Sequence, residues 1–411
     1  MTQSLSNRRQ LLWRGATLSL VATGGLLTLE GCADATGTDT AYSAWSLWND
    51  PKLARTPLAL VAAAVLAANP HDTQPWRFRV SADAIEIAAD TSRHLGTMDP
   101  FLREMHIGLG CALENIALAA PVHGYRAEFT LEPGSLLALT LRGGSVRAAT
   151  VRLSRAATSG ATSGQFGGLF EMIPRRHTNR YPYDRKIALP AGWRETLRAC
   201  VDTPEVKLVL FEQTADLVRF RAMMTEATEA IIRDPVMIAD SDRWFRNSPA
   251  EIEKFRSGPN LDTAGLPPLT RMLARMIPVS EDAQHKAWLN QTRDAQVGTA
   301  DVFGVLAVRD LHDRRACLTA GRVWQRMHLS AVSREIAMQP LNQPWEVVDR
   351  ARQLGQPGHW AQRLGNLIGA SAGAPSGVWS GTFSFRLGMS THAAPASPRR
   401  ALADVLVTDR A

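Results

Sequence analysis

The spacing of apolar and polar residues predicts both helices and strands in each half of the chain. Apolar positions at helical spacing predict helices at 58–68, 105–124, 167–173, 192–200, 214–233, 235–245 and 314–338. Alternation, or a short apolar run between turn residues, predicts strands at 76–80, 84–89, 126–131, 137–141, 146–153, 206–211, 302–308 and 381–387. The 411 residues can form one large domain or two ordinary ones.

One helical pattern occurs twice. The segment 110–120 aligns without gaps on the segment 321–331, and both keep a glycine, an apolar ladder, a Glu or Gln and a Leu-x-Ala. Any two amphipathic helices match in part. The similarity nevertheless favours an interpretation in which the same helix occurs once in each half.

The N-terminus has the pattern of an export signal. Arg8 and Arg9 precede an apolar run at 16–29 that is too short and too rich in glycine for a membrane span. This resembles a twin-arginine signal, and the segment 29–32 resembles a lipobox that would place a lipid on Cys32. A simple signal peptide cut nearby is the alternative. We expect residues 1–32 to be a signal and 33–52 to be a tether.

Composition excludes some classes of function. The hydrophobic content of 45% and charged content of 21% are typical of a globular protein. The net charge of +7 comes from arginines that do not interleave with aromatic residues, so we expect no nucleic-acid partner. The four cysteines are too widely spaced for a disulfide framework. The ten histidines show no metal-ligand spacing, and we predict no metal.

A rigid polar turn is predicted between the first helix and the first strand. It has the sequence His-Asp-Thr-Gln-Pro-Trp at 71–76, and Pro75 fixes its own φ and donates no backbone hydrogen bond. Polar turns between regular elements often contact ligands. A well-capped junction without a ligand fits this segment equally well.

A second candidate segment, 174–183, contains two adjacent arginines. Arg176 is followed two residues later by Thr178, and Arg180 follows closely. Guanidinium and hydroxyl groups at a helix end can bind a phosphate through charge-assisted hydrogen bonds. A solvated basic turn is the alternative.

Both segments carry a resemblance to a known family. The segment 67–78 resembles the Ala-Pro-Ser-x-His-Asn-Thr-Gln-Pro-Trp-Arg-Phe signature of the nitroreductase superfamily, and more narrowly the Acg-like FMN-binding oxidoreductases. Asp72 stands where the family usually has Asn. The segment 175–180 resembles the Arg-Arg-Ser-x-Arg element that holds the FMN phosphate in the family. The segments 320–329, 339–346, 385–388 and 398–400 extend the resemblance, which spans about 56–406.

The resemblance implies an α+β fold of two fused nitroreductase-like units, each with an antiparallel sheet flanked by helices. It also implies FMN as the cofactor. Arg176 and Thr178 would bind its phosphate, Arg180 would approach its pyrimidine side, and Arg386 would add a phosphate contact. The implied FMN contacts are Asn69, Asp72, Thr73, Gln74, Arg176, Thr178, Arg180, Gln339 and Arg386.

The motifs are distributed unequally between the halves. We expect a first unit at 53–155, a linker rich in Ser, Thr, Gly and Ala at 156–168, and a second unit at 169–411. The first unit has the Gln-Pro-Trp turn and the second has the arginine segment, whereas no second Gln-Pro-Trp turn is expected. The resemblance therefore implies a pseudo-dimer within one chain, with one complete FMN site.

We hypothesise an exported FMN-dependent oxidoreductase that transfers hydride or electrons through flavin N5 and needs no catalytic acid or base. Its partners would be a small-molecule electron donor and a nitro- or quinone-like acceptor, with a membrane surface if Cys32 carries lipid. The expected location is the periplasm or the outer face of the cytoplasmic membrane. Two alternatives are a flavin-binding protein with little turnover and a serine hydrolase that uses Ser371 in a Gly-x-Ser-x-Gly segment.

Overall fold

The computed structural model describes residues 40–136, 144–156, 166–276, 279–372 and 378–407. The predicted signal with Cys32, the strand at 137–141 and most of the linker at 156–168 lie outside these residues. The helices are α1 (Ala44–Leu47), α2 (Pro57–Ala64), α3 (Arg103–Val122), α4 (Trp193–Ala199), α5 (Thr214–Arg233), α6 (Pro235–Asp242), α7 (Pro249–Phe255), α8 (Pro268–Met276), α9 (Glu281–Asn290), α10 (Arg314–Val332), α11 (Gln343–Gln353), α12 (His359–Ala372) and α13 (Leu402–Val405). The strands are β1 (Trp76–Val80), β2 (Ala84–Asp90), β3 (Tyr125–Leu131), β4 (Ser145–Arg155), β5 (Lys207–Phe211), β6 (Val302–Val308), β7 (Ala337–Pro340) and β8 (Ser380–Gly388).

Two antiparallel sheets form the framework of the fold. The first has the order β1-β2-β4-β3 and the second has the order β5-β6-β8-β7. The chain visits the strands of both sheets in the same way, and a long helix, α3 or α10, separates the second strand from the third in each. This confirms the predicted α+β class with two antiparallel sheets flanked by helices.

The two long helices pack against each other through the glycines that the internal alignment pairs. A Cβ atom on Gly110 would lie 2.1 Å from the Leu318 carbonyl oxygen, and one on Gly321 would lie 2.0 Å from the Ile107 carbonyl oxygen. No side chain fits at either position, so the two backbones touch at this crossing. Glycine is required here because of this close approach.

Polar contacts across the same crossing repeat with exchanged partners. Gln325 donates from Nε2 to Asn115 Oδ1 at 2.8 Å, and Arg326 donates from Nε to Glu114 Oε1 at 2.7 Å. In the internal alignment Glu114 matches Gln325 and Asn115 matches Arg326. The two contacts are therefore related by exchanging the halves, as expected for an approximate twofold axis through the crossing.

Within the described parts of the chain, α3 is the helix that is long and apolar enough to cross a membrane. Most of α3 is buried inside the fold, against α10 and α2. Its apolar character is that of a core helix, which has to be apolar on nearly every side because protein surrounds it.

Two of the differences from the sequence prediction lie between the end of α10 and α11. The helix predicted over 314–338 ends at Val332, where Glu335 adopts a left-handed φ of 61°, and the short edge strand β7 follows. The tripeptide Gln-Pro-Trp occurs again at 343–345, within the segment 339–346 that resembles the family's turn after the long helix. It opens α11 with Pro344 in the first helical turn, where a missing N–H costs nothing, and it forms no turn before a strand.

The predicted tether at 33–52 is partly folded. Trp45 packs on the His177 ring at a centroid distance of 4.7 Å and donates from Nε1 to the Ser397 carbonyl at 2.9 Å. Trp48 packs on Phe170 at 5.0 Å. Two indoles bury enough apolar surface to order this segment. The described residues from Thr40 onward belong to one compact unit.

Candidate functional site

The turn between α2 and β1 is strained. His71, Asp72 and Gln74 all have φ between 46° and 50°, a left-handed conformation that L-residues rarely adopt. Gln74 holds the turn in place, since its backbone N–H donates to Asn69 Oδ1 at 2.7 Å and its side chain donates to the Arg256 carbonyl at 2.8 Å. Strain of this kind persists only where surrounding contacts enforce it, and it is concentrated at functional sites.

The arginine segment lies directly against this turn. A 310 helix, Phe170–Arg175, ends at Pro174 and Arg175, and the extended backbone of Arg176 then directs its side chain inward. Arg176 is 3% exposed and donates from Nη2 to the Leu66 carbonyl at 3.0 Å, just beyond α2. Two segments that are about 100 residues apart in the sequence therefore meet, as predicted.

Arg180 lies on another side of the turn. It donates from Nη1 to the Thr263 carbonyl at 3.0 Å. Burial first, and the charge of Arg180 second, lower the pKa of the neighbouring His71 to about 4. Thr178 is half-buried in the chain between Arg176 and Arg180. The buried Thr73 hydroxyl has no hydrogen-bond partner among the described residues. Arg176 and Arg180 thus both lie close to the turn.

Two further arginines, Arg399 and Arg93, complete the site. Arg399 donates from Nη1 to Asp72 Oδ1 at 2.5 Å, and Arg93 donates from Nε to the Thr73 carbonyl. We call Arg93, Arg176 and Arg399 the arginine cluster. Asp72 faces all three of its members.

The protein around the arginine cluster does not fully compensate the positive charge of the cluster. Burial lowers the pKa of Arg176 to about 9, with the charge of Arg399 as the next cause, and burial lowers that of Arg93 to about 10. In the part of the chain that the structure describes, the Nε atoms of Arg176 and Arg399 and Nη2 of Arg93 are buried without a hydrogen-bond partner. Buried donors without partners are rare and costly. An anion with several oxygens would satisfy them.

Two predicted residues do not join the cluster. Arg386 is fully buried, and all three of its guanidinium nitrogens donate to protein atoms. One of these atoms is Gln339 Oε1 at 2.7 Å, so β7 and β8 are tied together by side chains that were predicted to contact the cofactor. Because no donor of Arg386 remains for a ligand, the structure assigns it a structural role in place of the predicted phosphate contact.

Sequence reasoning left Arg93 and Arg399 out of the predicted site. Arg399 belongs to a C-terminal segment whose resemblance to the family was noted, and this was the available signal. Arg93 follows β2 in a 310 helix, Thr91–Arg93, and nothing in its local pattern distinguishes it. Its role depends on the fold, which places this helix beside the strained turn.

The Ser371 hydroxyl lies in the last turn of α12 and donates to Asp216 Oδ2 at 3.2 Å. A nucleophile elbow needs a strand before the serine and a helix after it. Ser371 instead follows a helix, so the geometry that would activate it as a nucleophile is not formed by the described residues around it.

The fold and the site together define an α+β protein with two antiparallel sheets and a buried arginine cluster beside the strained turn. No protein-family model matches the chain. It is 26% identical over 301 residues to Rv3131 of Mycobacterium tuberculosis (strain ATCC 25618 / H37Rv), which carries the provisional name of an NAD(P)H nitroreductase. The match covers 72% of this chain and 78% of that protein, and it supports a relationship to the nitroreductase superfamily.

Two solved nitroreductase structures overlap parts of this chain. The FMN- and NADPH-dependent nitroreductase NfnB from Sphigopyxis sp. strain HMH overlaps 59% of this chain and 99% of its own, with a TM-score of 0.35 and 14% identity. A nitroreductase with bound FMN from Desulfitobacterium hafniense DCB-2 overlaps 58% of this chain and 97% of its own, with a TM-score of 0.33 and 12% identity.

Proposed function

We propose that this chain is an FMN-dependent oxidoreductase of the nitroreductase superfamily and of its Acg-like group. The observation that carries the proposal is the set of buried guanidinium nitrogens without partners, at the junction of the two segments that resemble the family's FMN-binding elements. The curated relative supports the superfamily. The residues present fit the phosphate of FMN, because a phosphate accepts several charge-assisted hydrogen bonds at once.

Each residue has an expected part in holding the cofactor. Arg176, Arg399 and Arg93 would bind the phosphate, and the Thr73 hydroxyl would donate a further hydrogen bond. Arg180 would lie toward the pyrimidine side, where a cation stabilises negative charge on the reduced ring. Bound FMN would supply hydride or electron transfer through its N5. The chain itself binds and orients reactants and excludes water, and no side chain is required as an acid or base.

We also propose a pseudo-dimer within one chain, holding one FMN. The support is the shared strand order of the two sheets and the crossing of α3 and α10 at Gly110 and Gly321. The second Gln-Pro-Trp opens a helix, so a reciprocal strained turn is not built from it. A flavin stoichiometry near two per chain would contradict this proposal.

The proposed partners are small molecules. The names of the similar proteins favour NAD(P)H as the electron donor, with a reduced quinol as the alternative, and a nitro- or quinone-like compound as acceptor. The N-terminal sequence supports export by the twin-arginine route to the periplasm or to the outer face of the cytoplasmic membrane, where a lipid on Cys32 would anchor the protein. A twin-arginine route suits a protein that binds its cofactor before export.

Burial of the cluster favours a second candidate, a protein that binds FMN with little turnover. Arg176 and Arg399 are 3% and 2% exposed, and Trp45 covers Arg399 at 5.0 Å. A donor molecule would reach the cofactor only if the ring edge were less covered than the phosphate site.

The decisive experiment is titration of the full-length apoprotein with FMN, followed by anaerobic addition of NADH, NADPH or a reduced quinol. We expect one FMN per chain and bleaching of the flavin absorbance by one of the donors. Saturable binding without bleaching by any donor would favour the storage role. A protein that does not bind FMN would refute both.

A further inference from the structure

The carboxylate of Asp72 lies among arginines from several parts of the chain. Its Oδ1 accepts from Arg399 of the C-terminal segment at 2.5 Å, whereas its buried Oδ2 has no partner among the residues the structure describes. The other charged groups that face it are Arg93 after β2, Arg176 and Arg180 of the arginine segment, and Arg246 after α6. Asp72 is thus the protein's own anion at the site that an external anion would occupy.

Asp72 cannot leave this place by a small movement of the backbone. Its carbonyl accepts from the Gly258 N–H at 3.1 Å, and Arg93 donates to the next carbonyl, that of Thr73. Gln74 is bonded on both sides of the turn. A second anion that enters the cluster therefore meets a fixed carboxylate. Two like charges at close range in a buried site are strongly unfavourable.

We propose, on the basis of the proposed function, that Asp72 is the resident counter-ion of the arginine cluster and takes up a proton when a phosphate binds there. The proton comes from solvent and adds to the free Oδ2. Arg399 then exchanges the Asp72 carboxylate for a phosphate oxygen, and the new Asp72 O–H donates to another. Capture of a phosphorylated ligand is coupled to protonation at this one side chain.

The histidines and arginines near Asp72 do not change their protonation near neutral pH, so they cannot account for the proton uptake. Burial lowers the pKa of His71 to about 4 and that of His177 to about 3, so both imidazoles stay neutral. The arginines stay protonated at pH 7. Burial raises the pKa of Asp72 to about 6 before any ligand arrives, against the opposing charge of Arg399. A bound phosphate dianion raises it further.

The sign of the pH dependence follows from linkage. Because the complex holds a proton that the free protein has lost above about pH 6, affinity falls as the pH rises, by up to about tenfold per unit. The fall ends at the pKa of Asp72 in the complex. Ionisation of the ligand's own phosphate lies near pH 6 and acts in the opposite direction, so measurements belong above pH 7.

The test is calorimetric titration of the full-length apoprotein with FMN at pH 7.5, in two buffers of different ionisation enthalpy. We expect the wild type to take up on the order of one proton per FMN, and Asp72→Asn to take up almost none. Asp301→Asn, which removes an exposed carboxylate paired with Arg185, is the matched control and should behave as the wild type. Riboflavin, which lacks the phosphate, should bind without proton uptake.

Equal proton uptake by the wild type and Asp72→Asn would overturn the inference and leave the FMN site standing. Failure of the wild type to bind FMN would overturn the proposed function and this inference with it. If Asp72→Asn does not fold, the wild type alone decides the matter. FMN affinity that falls between pH 7 and 8 while riboflavin affinity stays constant supports the inference, and a flat FMN profile refutes it.

Discussion

Two buried ionic regions of this protein hold their charges in opposite ways. The arginine cluster has three guanidinium groups around Asp72. The second region, which we call the carboxylate cluster, has Arg103 among Asp99, Glu104, Glu346 and Asp349, between the start of α3 and α11. In the first region cations exceed anions, and in the second the ratio is reversed.

The two regions also differ in how completely their arginines are bonded. Arg103 donates to Asp349 at 2.7 Å, to the Thr382 carbonyl and to Glu104, so each of its guanidinium nitrogens is used. Burial alone would lower its pKa, but Asp349 and Glu104 together raise it. Arg176 has one hydrogen bond to a carbonyl and a depressed pKa. A buried arginine with every donor bonded stabilises the fold, whereas one with donors to spare is suited to a ligand.

The largest expected effect is on the carboxylate cluster. Arg103→Met removes the cation and its hydrogen bonds, which leaves buried Asp349 with its contact to His312 at 2.9 Å. We expect the free energy of unfolding to fall by about 3–5 kcal/mol, measured by urea denaturation at pH 7. A loss below about 1 kcal/mol would show that a fully bonded arginine does not stabilise this fold more than an arginine of the arginine cluster does.

Arg176→Ala should act mainly on binding. We expect FMN affinity to fall by about 1.5–3 kcal/mol, the range for hydrogen bonds to charged groups, and apoprotein stability to fall less than in Arg103→Met. Arg175→Ala is the matched control, because Arg175 is exposed and donates to Met172 Sδ at 3.8 Å, away from the arginine cluster's donors. Unchanged FMN affinity in Arg176→Ala would remove the phosphate assignment.

The next largest expected effect is a pH dependence of the free energy of unfolding, caused by the carboxylate cluster. Burial raises the pKa of Glu104 to about 8, so the folded protein retains a proton that the unfolded chain loses above about pH 4.5. Stability should therefore fall as pH rises from about 4.5 to 8, with a slope of up to about 1.4 kcal/mol per pH unit. Glu104→Gln should flatten this fall in denaturation curves at pH 5, 6, 7 and 8. An unchanged slope would show that Glu104 is ionised in the folded protein.

The smallest effect is expected at an exposed ion pair. Arg185 donates to Asp301 at 2.8 Å, and both side chains are largely accessible to solvent. Arg185→Ala should change stability by about 0–1 kcal/mol and leave FMN affinity unchanged. A larger change in either quantity would mean that surface charge affects this protein as strongly as its buried clusters do.

Local patterns were sufficient for much of the fold. The bounds of β1, β6 and α5 agree with the predicted segments 76–80, 302–308 and 214–233. Each has a clear period and turn residues at its ends. The four-residue strand β7 was missed because it is short and follows a helix without a proline or glycine between them. The helix α11 was missed because the segment 339–346 was interpreted, from its resemblance to the family, as the turn after the long helix.

The sequence predicted only part of the site, because local patterns do not report contacts between residues that are far apart in the chain. Asn69, Asp72, Thr73 and Gln74 occupy one turn, and Arg176 and Arg180 one short segment, so sequence motifs could identify them. The partner of Asp72, Arg399, is 327 residues away. No local periodicity reports a contact of that range, and whether a guanidinium group has spare donors depends on the complete set of its neighbours.

The two Gln-Pro-Trp tripeptides show what a covalent link between similar halves makes possible. In an assembly of identical subunits a mutation alters both copies of a surface at once, and a sequence change that benefits one copy can damage the other. Here one tripeptide ends a turn next to β1 and the other begins α11. The internal alignment does not pair the two tripeptides, and because both lie in one chain each can change without the other while the glycine crossing holds α3 and α10 together.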